Sequence, residues 1–197
     1  MSLLKSSPRL IGRRRRDVYN TGRYDSPEAL ALLDGVIDIY MPDMKYGDSE
    51  LGHRYSHVRD YVRVNQAAIR EMYRQVGDLD IDKHGLARRG LLVRHLVLPN
   101  RIAGTAEGLR FIAEEISPDT YLNLMDQYRP CYRAGEYPEL DRPITRPEFH
   151  DVLKLAELYG LRRVDYDRRR LRRILPVRVD GPGMAGIRKP VREQTRA

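Results

Sequence analysis

Hydrophobic positions along the chain alternate between two periods. Compact apolar runs of strand length fall at 36–41 (VIDIYM), 91–98 (LLVRHLVL) and 121–125 (YLNLM), with a shorter one at 17–20 (DVYN). Short runs rich in β-branched and aromatic residues and bounded by turn residues read as strands. Between them the apolar period lengthens. Val58, Val62, Ile69, Met72, Tyr73 and Val76 predict one amphipathic helix over 57–76, closed by Gly77. Leu109, Ile112, Ala113 and Ile116 predict another over 105–116, capped by Thr105. Ser26-Pro27-Glu28 starts a short helix over 27–33, with serine as cap and proline in the first helical position, and Asp34-Gly35 ends it. Thr145-Arg146-Pro147-Glu148 is a capping box opening a helix to Tyr159, with Gly160 as its stop. A hairpin is expected over 78–89 around Lys83-His84-Gly85, and Val164 begins a last short strand.

Strands alternating with helices argue for parallel βα units, so the expected class is α/β. About four such units, over 17–165, are too few to close a barrel. Segment 1–16 has no period and ends in four arginines; 166–197 holds the run Arg168 to Arg173 and a Gly-Pro-Gly stretch. Both read as disordered basic ends.

Composition narrows the picture. At 197 residues one domain is expected. No apolar run approaches the roughly 18 residues of a membrane span, and the basic N-terminus lacks the apolar core of a secretory signal, so a cytoplasmic protein is expected. The single cysteine, Cys131, rules out an intramolecular disulfide framework. The net charge of +8 is unevenly spread. Residues 1–16 carry six Lys and Arg and no acid, and 166–197 carry ten against three acids. The middle is left with 20 basic and 25 acidic residues. A basic groove built into the fold is therefore not expected. Any attraction to RNA or another anionic partner would come from the ends, as a salt-sensitive and sequence-blind term.

In barrel-type folds the working residues sit at the C-terminal ends of strands. Asn20 and Thr21 end the first strand, Asp43 and Lys45 follow the second, Arg94 lies on the third and Gln127 follows the fourth. The Asp-x-Lys spacing puts two charged side chains on one side of an extended stretch. Lysine is a point cation suited to a carboxylate, and arginine offers a planar fork. Other signals are weaker. Asp78, Asp80 and Asp82 suggest a calcium loop, but Lys83 and Arg89 stand where an EF-hand needs glycine and glutamate. His53 and His57 have metal-ligand spacing without the metalloprotease glutamate between them. Cys131 with His95 as base has no supporting motif.

The strand-end words YNTGRYDS (19–26), VIDIYMPDMKY (36–46), GLLVRHLVLP (90–99) and TYLNLMDQYRP (120–130) come in this order. Together they resemble radical S-adenosylmethionine (SAM) proteins of the pyruvate formate-lyase activating enzyme-like group. The resemblance implies a partial (β/α)6 barrel, of which these segments look like strands three to six. It implies SAM and a [4Fe–4S] cluster as cofactors, with Asn20, Thr21, Asp43, Lys45, Arg94 and Gln127 on the SAM side. The family's cluster loop, Cys-x3-Cys-x2-Cys, follows a first strand that has no counterpart in 1–16. One thiolate cannot hold such a cluster. The expectation is therefore a truncated, frameshifted or wrongly started reading of a radical SAM protein, inactive alone, with its cluster ligands in a missing N-terminal half or a second chain. A protein substrate and self-association through the open edge of the first strand are further expected partners. The competing expectation is a non-catalytic α/β binding module whose basic ends dock on an anionic partner. Two departures from the family stand out: Arg23 replaces a glycine, and Asn100-Arg101 stands where Gly-Gly is usual.

Overall fold

The computed structural model describes residues 16–22 and 24–166. The expected basic ends, apart from Arg16 and Tyr166, and the Arg23 substitution lie outside the described residues. Within them the order is β1 (Val18–Thr21), α1 (Pro27–Ala31), β2 (Ile39–Pro42), α2 (Ser49–Ser56), α3 (Tyr61–Val76), β3 (Asp80–Ile81), β4 (Ala87–Leu96), α4 (Thr105–Phe111), β5 (Tyr121–Met125), α5 (Arg146–Leu158) and β6 (Val164–Asp165). Five strands run parallel in the order β1-β2-β4-β5-β6, and β3 pairs antiparallel with the start of β4. Each parallel strand lies beside its predecessor, so every crossover steps the same way.

Strand alternation sorts the core. Tyr40, Leu91, Val93, Leu122 and Leu124 pack with Leu30, Ile69, Met72, Leu109 and Val152, which come from four of the helices. The intervening residues Ile39, Met41, Leu92 and Tyr121 form a smaller cluster on the opposite face with Leu79 and Ala87. Helices over one face of a sequentially ordered parallel sheet make an arrangement compatible with a partial α/β barrel. Among the described residues β1 pairs with β2 alone, so its outer edge carries no strand partner there. No helix among them is long and apolar enough to cross a membrane.

Several boundaries differ from the expected ones for identifiable reasons. The helix expected over 57–76 is α3, which starts at Tyr61 rather than 57, and a separate helix, α2, precedes it. Asp48 caps α2, its Oδ1 accepting from Glu50 N (2.7 Å) and Leu51 N (3.1 Å). His57 then ends α2 in the left-handed conformation (φ 56°), and α3 begins at Tyr61. His53 and His57 are thus a last-turn residue and a C-cap rather than neighbours on one continuous helix. The second strand starts at Ile39 rather than 36, because Gly35 (φ 77°) turns the chain and leaves Val36 exposed. The third starts at Ala87 rather than 91, recruited by the hairpin partner β3. In that hairpin Asp82 Oδ1 accepts from His84 N (2.9 Å) and Leu86 N (3.0 Å), so its carboxylate closes a turn.

Asn100 and Arg101 are both left-handed (φ 56° and 59°). At Asn100 the conformation that glycine permits is held by side-chain bonding. Asn100 Nδ2 donates to Glu139 O (2.7 Å), and its Oδ1 accepts from Arg142 Nη2 (2.8 Å).

Candidate ligand site at the strand ends

Past Pro42 the chain stays extended because both neighbouring strands hold it. Asp43 N donates to Thr21 O and Met44 N to Arg94 O, each at 2.8 Å. Helix α3 fixes the same stretch from outside. The Tyr61 hydroxyl accepts from Lys45 N (2.8 Å) and donates to Asp43 O (3.3 Å), and Asn65 Nδ2 donates to Asp43 O (3.0 Å). Met44 is buried in the main core with the helices, and Asp43 and Lys45 alternate to the opposite face.

There Asp43 Oδ1 accepts from Arg94 Nε (2.7 Å) and Nη2 (2.5 Å). The Arg94 side chain is only 9% exposed and that of Asp43 19%. The pair belongs to a row across the sheet. Asp43 lies beside Arg94, Arg94 beside Asn123, and Asn123 beside Asp165. Asn123 Nδ2 donates to Asp165 O (3.2 Å), and the Tyr121 hydroxyl to Asp165 Oδ2 (2.6 Å). Asn123 and Asp165 were not foreseen from sequence. Their signal is a polar residue at an inward position of an otherwise apolar strand.

The second oxygen of Asp43 faces the strand ends. A Cβ on Gly22 would lie 3.1 Å from Asp43 Oδ2 and 3.6 Å from Lys45 Nζ, so the glycine leaves these two groups the space a side chain would fill. Oδ2 accepts no hydrogen bond from a described residue, and exposed Lys45 has no ion pair among them. The other oxygen of an arginine-held carboxylate thus sits near the Lys45 ammonium.

The other foreseen residues divide. Asn20 is exposed on β1 beside Met41, on the face that carries Asp43. Thr21 turns the other way, its Oγ1 donating to Asp25 Oδ2 (2.6 Å), and shapes the turn into α1. Gln127 lies two residues beyond β5, with Nε2 3.2 Å from Met125 Sδ.

A cavity of about 510 Å³ opens above the polar row, within the roughly 300–1,000 Å³ usual for ligand pockets. Asp43, Lys45, Leu96 and Met125 form its strand-side lining, Tyr46 and Tyr55 line it from the β2–α2 side, and the segment between β5 and α5 supplies the rest. That segment is firmly tied down. The Tyr128 hydroxyl donates to Leu140 O (2.9 Å), and Glu139 accepts from Arg54 Nη2 and the Tyr55 hydroxyl, both at 2.7 Å. The Tyr55 and Tyr137 rings meet edge to face at 5.2 Å. Burial, then the bond to Glu139, pushes the Tyr55 phenol up to about 12, so it stays neutral near pH 7.

Cys131 is exposed at this cavity, whereas His95 is fully buried toward α4. His95 Nδ1 bonds Met44 O (2.7 Å) and Nε2 bonds Thr105 Oγ1 (2.9 Å). A carbonyl can only accept, so Nδ1 carries the proton, Thr105 donates to Nε2, and no ring nitrogen is left for Cys131. No three His, Cys, Asp or Glu among the described residues converge to hold a metal ion.

Burial pushes the His95 pKa from 6.5 down to about 4. The folded state therefore holds neutral imidazole while the unfolded chain takes up a proton below pH 6.5. This contribution is complete above that pH and is lost as pH falls toward 4, at a total of about 3 kcal/mol. Urea midpoints are expected to drop across that window, and His95→Gln is expected to flatten the drop. An unchanged slope in the variant would contradict this assignment. Glu71, held near 2 by Arg74 and Gln75, loses its contribution as pH falls below 4.5, so the two windows overlap only between about 4 and 4.5.

No family model matches this chain. An uncharacterized protein of Methanocaldococcus jannaschii is 34% identical over 145 residues. The match covers 73% of this chain and 38% of that protein, so the chain spans well under half the length of this curated relative.

Proposed function

We propose that the strand-end surface binds the amino-acid end of S-adenosylmethionine, and that the chain represents the later strands of a radical SAM barrel. The observation that carries this reading is the placement of Asp43 Oδ2 and Lys45 Nζ around Gly22. A zwitterionic amino acid needs one cation for its carboxylate and one acceptor for its ammonium. Lys45 serves as the first and Asp43 Oδ2 as the second. Arg94 binds nothing in this scheme; it holds the other Asp43 oxygen and keeps the carboxylate aimed. Asn20 and Gln127 flank the ligand, and Thr21 sets the turn beside it. The ordered strand-end words and the parallel, sequentially ordered sheet support the same reading.

SAM supplies the adenosyl group in such enzymes once a reduced cluster is present. The donor set of this chain does not fit that cluster. Three thiolates are required, and the sequence has one, Cys131. Radical chemistry would need cluster ligands from other polypeptide, and no such step is assigned to these residues.

Calorimetry with S-adenosylhomocysteine, which keeps both the amino-acid and adenosyl parts, tests the reading on the full chain. Binding is expected, with affinity at least tenfold weaker in Lys45→Ala, equivalent to about 1.4 kcal/mol. No binding, or binding indifferent to Lys45, would overturn it.

A further inference from the structure

We infer that the tyrosine-walled cavity receives a planar aromatic ring from a molecule whose anionic arm reaches Lys45. The inference rests on the same lysine as the reading above and adds where the rest of the ligand lies. Three phenol groups of the wall are engaged internally. The Tyr46 hydroxyl bonds Ser56 Oγ (2.8 Å), that of Tyr55 bonds Glu139, and that of Tyr128 bonds Leu140 O. Ring surface rather than hydroxyl is therefore what these side chains offer a ligand. Leu96, Leu98 and Met125 extend the apolar lining. A ring entering such a site gains apolar burial together with edge or offset contacts to the wall rings.

Charge fixes the polar end. Asp43 is matched by Arg94, and Arg133 at the cavity is matched by Glu136 at 2.7 Å. Lys45 is the charged lining residue without an ion-pair partner among the described residues, so the site carries one uncompensated positive charge beside an apolar chamber. An anion on a flat ring complements that pattern, and a cation does not. The chamber is also preformed. The Glu139 bonds, the Tyr55–Tyr137 contact and the Asn100 bond to Glu139 O fix its outer wall before any ligand arrives. Little ordering is left to oppose binding.

Two sources supply this chemistry: the adenine of an S-adenosyl ligand, or the ring of a separate aromatic carboxylate. Saturation-transfer NMR on the full chain distinguishes them, using S-adenosylhomocysteine, 3-phenylpropionate and hexanoate as probes. Saturation of ring protons in at least one aromatic probe is expected, with hexanoate much weaker. Tyr137→Leu is expected to weaken that probe about three- to tenfold, while Tyr137→Phe, which keeps the ring, binds like the parent. Adenine saturation assigns the first source, and a response from phenylpropionate alone assigns the second. If S-adenosylhomocysteine binds through Lys45 with no dependence on Tyr137, the SAM reading stands and this inference falls. If phenylpropionate binds through Tyr137 and S-adenosylhomocysteine does not bind, this inference stands and the SAM reading falls. Silence from both aromatic probes overturns it.

Discussion

Gly47→Ala is expected to cost roughly 3 kcal/mol or more, because the added methyl group meets backbone that cannot yield. A Cβ at this position would overlap Gly104 O and lie 2.9 Å from Gly108 N. Both are backbone atoms at the start of α4, so no side-chain rotation relieves the clash. The approach is this close because Gly47 N donates to Ala103 O at 2.8 Å, locking the β2–α2 connection onto that helix. Gly35→Ala is the informative control. It has nothing within 4 Å but sits at φ 77°, so it carries only the left-handed strain of about 1 kcal/mol. Urea unfolding of the two variants separates steric from torsional cost. Equal midpoints would contradict the predicted clash. Because Lys45 and Tyr46 immediately precede Gly47, ligand binding is expected to fail together with the fold.

Asp43→Ala is expected to cost about 3–5 kcal/mol, because it leaves the guanidinium of Arg94, 9% exposed, without its anion. Asp43→Asn keeps an oxygen for Arg94 Nε and should lose less, with the order alanine, asparagine, wild type in rising midpoint. The same two variants separate stability from binding. Asparagine still accepts a hydrogen bond but presents no charge to a ligand ammonium, so its affinity for S-adenosylhomocysteine should fall further than its stability does. A loss below about 1 kcal/mol in Asp43→Ala would show that the pair behaves as a surface salt bridge, against its burial.

Local pattern was legible where it was dense. The strand YLNLM is observed at its expected bounds, Tyr121–Met125, because four of its five residues are apolar and Pro118 and Asp126 bracket it. The capping box of α5 is complete, with Thr145 Oγ1 accepting from Glu148 N and the Glu148 carboxylate accepting from Thr145 N. Helix α2 was missed because its apolar positions are sparse. Its signal was the Asp48 cap, which periodicity alone does not weigh. The early start of β4 arises because the second arm of the hairpin expected over 78–89 runs on into the strand without a break. At the site, Asp-x-Lys and Arg94 were legible as isolated charges at strand ends. Their pairing needed the register that sets Asp43 beside Arg94, and so did the extension of the row through Asn123 to Asp165. The cavity was not legible at all. Its walls come from α2 and from the segment between β5 and α5, and they meet through Glu139 with Arg54 and Tyr55 and through the Tyr55–Tyr137 ring contact.

The most direct measurement is an experimental structure of the full chain with S-adenosylhomocysteine bound. The ligand carboxylate is expected within hydrogen-bonding distance, about 3 Å, of Lys45 Nζ, and its amino nitrogen at Asp43 Oδ2 beside Gly22. Ligand bound elsewhere, or bound at this site with its amino-acid end turned away from both groups, would contradict the proposed function.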